Sequence, residues 1–144
     1  MRIASDSSTT PAALVAGALA LFVAIDIGVR VGRFLPIAAA LRRLAKRLGA
    51  GRLPRIDRWM AAQRTFDAVC VATRYYYRRR LDCLPKALAT QCLLLAQGID
   101  AEVCLGVKRY PFAGHAWVEV AGERFDDSPS ALYRAGAYTV LQRF

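Results

Sequence analysis

Residues 82–107 read D-C-L-P-K-A-L-A-T-Q-C-L-L-L-A-Q-G-I-D-A-E-V-C-L-G-V, and residues 112–120 read F-A-G-H-A-W-V-E-V. The first segment changes period part-way. Leu84, Leu88, Cys92 and Leu95 recur every three or four residues, which predicts a helix from Cys83 to Gln97 that stops at Gly98. Pro85 is tolerated only near the first turn, so the helix starts close to Cys83, with Asp82 as a good N-cap. Beyond it, Ala101, Val103, Leu105 and Val107 alternate as in a half-buried strand. The segment 115–120 also alternates and is rich in β-branched and aromatic residues. Ala121-Gly122 supplies a turn, and Glu123–Asp127 is expected to return as a third strand. Helices first and strands later predict an α+β domain.

Upstream of this core the chain reads as helical. Residues 1–10 look like a frayed end, and Pro11 opens an uncharged run over 12–25 that ends at Asp26. Asp26 and Arg30 are spaced to pair along one helical face. The run is short for a membrane span, and Arg2 alone precedes it, which makes a poor signal peptide. The first expectation is a helix buried against the domain or a partner; contact of residues 12–29 with a membrane is the second. A basic helix over 36–48 and a Gly/Pro linker over 49–55 follow. Asp57 is placed to cap a helix running to about Arg80, with Trp59, Ala62, Phe66 and Val69 on its apolar face. The expected division is a helical region, 1–56, and a core, 57–144.

With 144 residues the chain suits one domain, and 56% hydrophobic composition excludes disorder. Its formal charge of +10 favours acidic partners, although no nucleic-acid motif accompanies it. Cys70, Cys83, Cys92 and Cys104 form no C-x-x-C pair, and one histidine gives a zinc site poor ligand supply. Three of these cysteines, 70, 92 and 104, read as small buried apolar residues. Reduced thiols and a cytoplasmic setting are expected.

Cys83 is different because the positive end of a helix dipole favours a thiolate, the reactive form of cysteine. The Asp82 charge opposes this, so further activation is needed. His115 opens a strand and can take the thiol proton and later return it to a leaving amine. The imidazole in turn needs a partner for its tautomer, and Asp126 and Asp127 follow the hairpin. A two-residue loop puts Asp126 on the face of His115 and Trp117; one extra residue puts Asp127 there. Taken singly, a cysteine at a helix start is more often packing, and a strand histidine is more often a satisfied polar group. The order Cys, His, Asp in these contexts matches papain-like and transglutaminase-like logic. The backbone N–H of Cys83 is a plausible oxyanion donor, and Gln63 a candidate second one.

These motifs resemble the transglutaminase-like leader peptidases of lasso peptide biosynthesis, the B proteins or their C-terminal halves. The likeness is close over 81–127 and looser ahead of it. It rests on Cys-Leu opening a helix, the Gly-Ile-x-Ala turn into a strand, and His-Ala-Trp-Val-Glu. The resemblance implies a papain-like or transglutaminase-like core with the nucleophile's helix packed on a small antiparallel sheet. It implies a cysteine peptidase that removes the leader from a ribosomally made precursor, using Cys83, His115 and Asp127 without metal or cofactor. It also implies two partners: an ATP-dependent, asparagine-synthetase-like cyclase and a leader-binding protein. The latter is expected as a separate chain, because residues 1–60 look helical and not like a winged-helix module. Two alternatives stay open: a transglutaminase-like acyltransferase, and a non-catalytic assembly subunit that binds peptide or membrane.

Overall fold

The computed structural model describes residues 11–49, 55–76, 83–109, 112–125 and 138–144. The linker residues 50–54, the arginines at 78–80, the expected cap Asp82 and both Asp126 and Asp127 lie outside them. Four helices, α1 (Ala12–Arg30), α2 (Phe34–Leu48), α3 (Arg55–Tyr76) and α4 (Cys83–Ala96), precede four strands. These are β1 (Glu102–Lys108), β2 (Ala113–Val120), β3 (Glu123–Phe125) and β4 (Thr139–Arg143). The sheet is antiparallel in the order β3-β2-β1-β4. The expected α+β class is what the structure shows.

α4 is the central element. Ala87, Leu88, Ala89, Thr90, Gln91 and Cys92 are all buried, so consecutive residues, not one stripe, are shielded. A helix buried on every side needs neighbours all round. The sheet covers one side, and α1, α2 and α3 cover the others. Its small residues let those neighbours approach closely. Gly98, at φ 76°, ends the helix in the left-handed region, and Ile99 N–H reaches back to the Leu94 carbonyl at 2.9 Å. The end of α2 passes just beneath: a Cβ on Gly49 would stand 1.9 Å from the Leu95 carbonyl oxygen.

α1 buries Ala18, Phe22 and Ile25. It packs against α3 and α4, as the first expectation had it. The helix continues through Asp26, which pairs with Arg30 at 3.3 Å and accepts a hydrogen bond from the Tyr76 hydroxyl at 3.3 Å. Among the described residues it is the one helix long and apolar enough to cross a membrane by length and composition, with mean hydropathy 2.3. α2 starts two residues earlier than expected, at Phe34, which puts Pro36 in its first turn, where no intrahelical donor is lost.

The two faces of the sheet do different things. Val103, Ala116, Val118, Val120 and Phe125 join Leu88 and Leu94 of α4 in the main core. Cys104, Trp117 and Tyr138 form a second, smaller cluster. β2 and β3 are joined by the two residues Ala121 and Gly122, both at positive φ, the conformation a tight hairpin requires. Gln91 crosses between layers, donating to the carbonyls of Ala101 at 2.9 Å and Phe144 at 2.7 Å.

Three sequence expectations need correction. Asp57 lies inside the first turn of α3 and does not cap it. β4 was not foreseen at all. Trp59 does not lie on a buried face: it is 51% exposed, and its indole N–H donates to Glu123 at 2.6 Å. Apolar spacing marks a face of α3, and the polar edge of an indole gains more by reaching a carboxylate at the rim.

Candidate catalytic site

Cys83 is the first residue of α4, so its side chain stands where that helix meets the sheet. It is half-buried and, like Phe66, Leu84 and Leu105, packs against the main core. Among the described residues, β3 pairs with β2 from Val118 to Val120. Ahead of that span, the Ala116 N–H donates to Cys83 Sγ at 3.2 Å. The thiol thus caps a strand edge while sitting at a helix start.

His115 precedes Ala116 and makes a side-chain hydrogen bond with the thiol. Burial by itself would raise the Cys83 thiol. The His115 bond, the Ala116 N–H, the imidazolium charge and the residue's own N–H together hold it below its ordinary value. All of these except burial favour the thiolate.

The imidazole is held from behind. Its ring stacks on Trp117, with centroids 6.0 Å apart and planes at 25°, and lies 5.6 Å from the Tyr138 ring. Trp117 lies flat across β1 because Gly106, the strand partner of His115, has no side chain. A Cβ there would come within 2.7 Å of the Trp117 ring. The guanidinium of Arg124 sits 4.1 Å over the other part of this platform. The Trp117 indole N–H donates to Glu119 at 2.9 Å, and Arg143 donates to the second Glu119 oxygen. Burial would raise the Glu119 carboxyl, but the Arg143 and Trp117 bonds and the Arg143 charge hold it below its usual range. Arg143 also reaches Cys104 Sγ at 3.2 Å and Glu102 at 3.6 Å.

Of the site residues expected from the sequence, the structure brings Cys83 and His115 together. Gln63 donates to Asp67 at 3.0 Å on its own helix and lines a small cleft with Trp59, Phe66 and Phe125. Asp126 and Asp127 lie outside the described residues, and the described ladder ends with Val118 opposite Phe125. Sequence reading missed Tyr138 and Arg143. The short aromatic and β-branched run Tyr138-Thr139-Val140 was the one local signal for their strand. Among the described residues no group of three His, Cys, Asp or Glu side chains could hold a metal ion.

The comparison with protein families agrees with this geometry. The model of the transglutaminase-like superfamily matches residues 21–143. The chain belongs to that superfamily. A relative is the microcin J25-processing protein McjB of Escherichia coli, 41% identical over 49 residues. The aligned stretch covers 34% of this chain and 24% of that protein. No solved structure matches the chain.

Proposed function

We propose that this protein is a cysteine peptidase that removes the leader from a ribosomally synthesised lasso peptide precursor. The observation that carries the reading is the acidified thiol of Cys83, hydrogen-bonded to His115 where α4 meets the edge of β2. The likeness to McjB, a microcin J25-processing protein, supports the choice of substrate class.

In the proposed reaction the Cys83 thiolate attacks the carbonyl at the leader–core junction. The Cys83 N–H, at the positive end of α4, stabilises the developing oxyanion. The C–N bond breaks as His115, now imidazolium, gives its proton to the core amine, leaving a thioester between leader and Cys83. His115 then takes a proton from water, the water oxygen adds to the thioester carbonyl, and the leader carboxylate departs as the thiolate is restored. Asp127 orients the imidazole, Asp126 being the alternative, and the stacked Trp117 limits the ring's rotation. The expected partners are the precursor's leader region, a separate leader-binding protein and an ATP-dependent lasso cyclase. The proposed location is the cytoplasm.

Incubation with a precursor peptide and leader-binding protein, read by mass, tests this. Free leader and free core support the reading. A leader joined to an added amine assigns an acyltransferase instead. Unchanged cleavage by Cys83→Ala eliminates the mechanism, and Asp126→Ala beside Asp127→Ala identifies the carboxylate.

A further inference from the structure

The surface formed by α1 and α2 carries a chemistry the catalytic site does not use. Between Asp26 and Asp57 the sequence holds eight Lys and Arg and no Asp or Glu. Among the described residues, Arg43, Lys46 and Arg47 have no acidic partner, while Arg30 is paired with Asp26. Arg43 and Arg47 are an i, i+4 pair on the exposed side of α2, and beside them Leu44 and Leu48 are a second such pair.

Those leucines are not buried. Leu48 is 66% exposed, Leu44 56%, and Leu35, at the start of the same helix, 76%. The end of α1 adds Val29 and the loop into α2 adds Val31, both exposed. The outward face of α1 continues the apolar character through Ala16, Ala20, Val23 and Ile27, none of them charged and all exposed. Single exposed aliphatic residues are ordinary on protein surfaces. Here they are grouped on two adjacent helices and interleaved with cations.

We infer that the α1–α2 surface docks peripherally on an anionic lipid bilayer. Arg43 and Arg47 meet the headgroups, and Leu44 and Leu48, beside them on the helix, enter the acyl boundary. Long cationic side chains suit this arrangement, because their stems lie along apolar surface while the charge stays at the headgroup level. Charge selects an acidic surface. The exposed aliphatic groups distinguish a bilayer from nucleic acid, whose recognition uses stacking aromatics and polar groups. α1 does not span: Phe22 and Ile25 are committed to packing inside the protein, and only its outer face is offered.

The full chain carrying Cys83→Ala should co-sediment with vesicles of phosphatidylglycerol and phosphatidylcholine in equal parts, and not with phosphatidylcholine alone. Using that variant separates lipid binding from the proposed peptidase activity. Arg43→Glu with Arg47→Glu should weaken binding about tenfold or more. Leu44→Ser with Leu48→Ser should weaken it several-fold and leave the salt dependence intact. Arg43→Gln with Arg47→Gln serves if charge reversal alters the circular dichroism. Failure to bind anionic vesicles, equal binding to both vesicle types, or variants that bind like the parent would overturn the inference. So would binding of an acidic peptide at this surface without vesicle binding. Resistance to alkaline carbonate extraction from cell membranes would show a span and overturn peripheral docking.

Discussion

Cys83 stands beside the edge of β2 and Cys104 lies on β1, an inner strand of the same sheet, and their surroundings push the two thiols in opposite directions. Cys104 faces away from the helices, beside Trp117 and Tyr138, and burial followed by the Glu119 charge pushes its thiol up to about 11. Cys92, inside α4, is pushed to about 11 by burial as well, with Arg42 offsetting only part. Cys83 also suffers from burial, yet its thiol falls below its ordinary value, because an imidazole and two backbone N–H groups converge on it. Burial is common to all three. What distinguishes the candidate nucleophile is the supply of donors, which here comes from a helix start and a strand edge meeting at one atom.

That contrast is open to direct attack. Removing the sulfur at each position gives the largest effect: Cys83→Ala should lower precursor cleavage by at least about 10⁴-fold. Cys92→Ala should leave it within a few-fold; comparable losses from both would erase the distinction. Thiol alkylation followed by mass spectrometry sharpens it. At neutral pH the thiolate fraction of Cys83 should exceed those of Cys92 and Cys104 by at least roughly 100-fold, and labelling should follow. In His115→Ala the pH midpoint of Cys83 labelling should move upward, since the bond and charge that lower it are gone. An unmoved midpoint would remove His115 from the account.

Smaller effects probe what lies behind the imidazole. Gly106→Ala should cost about 1–3 kcal/mol in urea unfolding, because a Cβ there collides with the Trp117 ring. Glu119→Gln bears on pH. The folded-state pKa of Glu119 is lowered, so its contribution to stability is present above the unfolded value and is lost as pH falls through the folded one. The parent protein's melting temperature should therefore fall over that acid range more steeply than the variant's.

Much of the architecture was legible because it is local. The start of α4 follows from Pro85, its end from Gly98, and the β2–β3 hairpin from Ala121-Gly122. The pairing of β4 with β1 was not legible. It joins Thr139–Arg143 to a strand far earlier in the chain, and a register shift between Leu105 and Gly106 breaks the alternation that would have announced it. Trp59 misled for a related reason: its partner Glu123 is 64 residues away, and no spacing within a helix reveals it. At the site, helix-start and strand patterns pointed to Cys83 and His115. The Ala116 N–H on the sulfur and the Trp117 platform under the ring are products of tertiary packing, which periodicity does not encode. The exposed leucines of α2 were hidden differently, since an apolar residue in sequence reads as core until a surface is there to judge it.

The sulfur of residue 83 belongs to the helical layer, whereas two of the groups that acidify it, His115 and the Ala116 N–H, belong to the sheet. Its reactivity is therefore a ruler laid across the boundary between the two. A slippage of α4 against β2 too slight to unwind either element would open the 3.2 Å contact to Ala116 and release the sulfur from both neighbours at once. On warming, loss of nucleophilic character should thus precede loss of helical signal, making the protein fall silent before it melts.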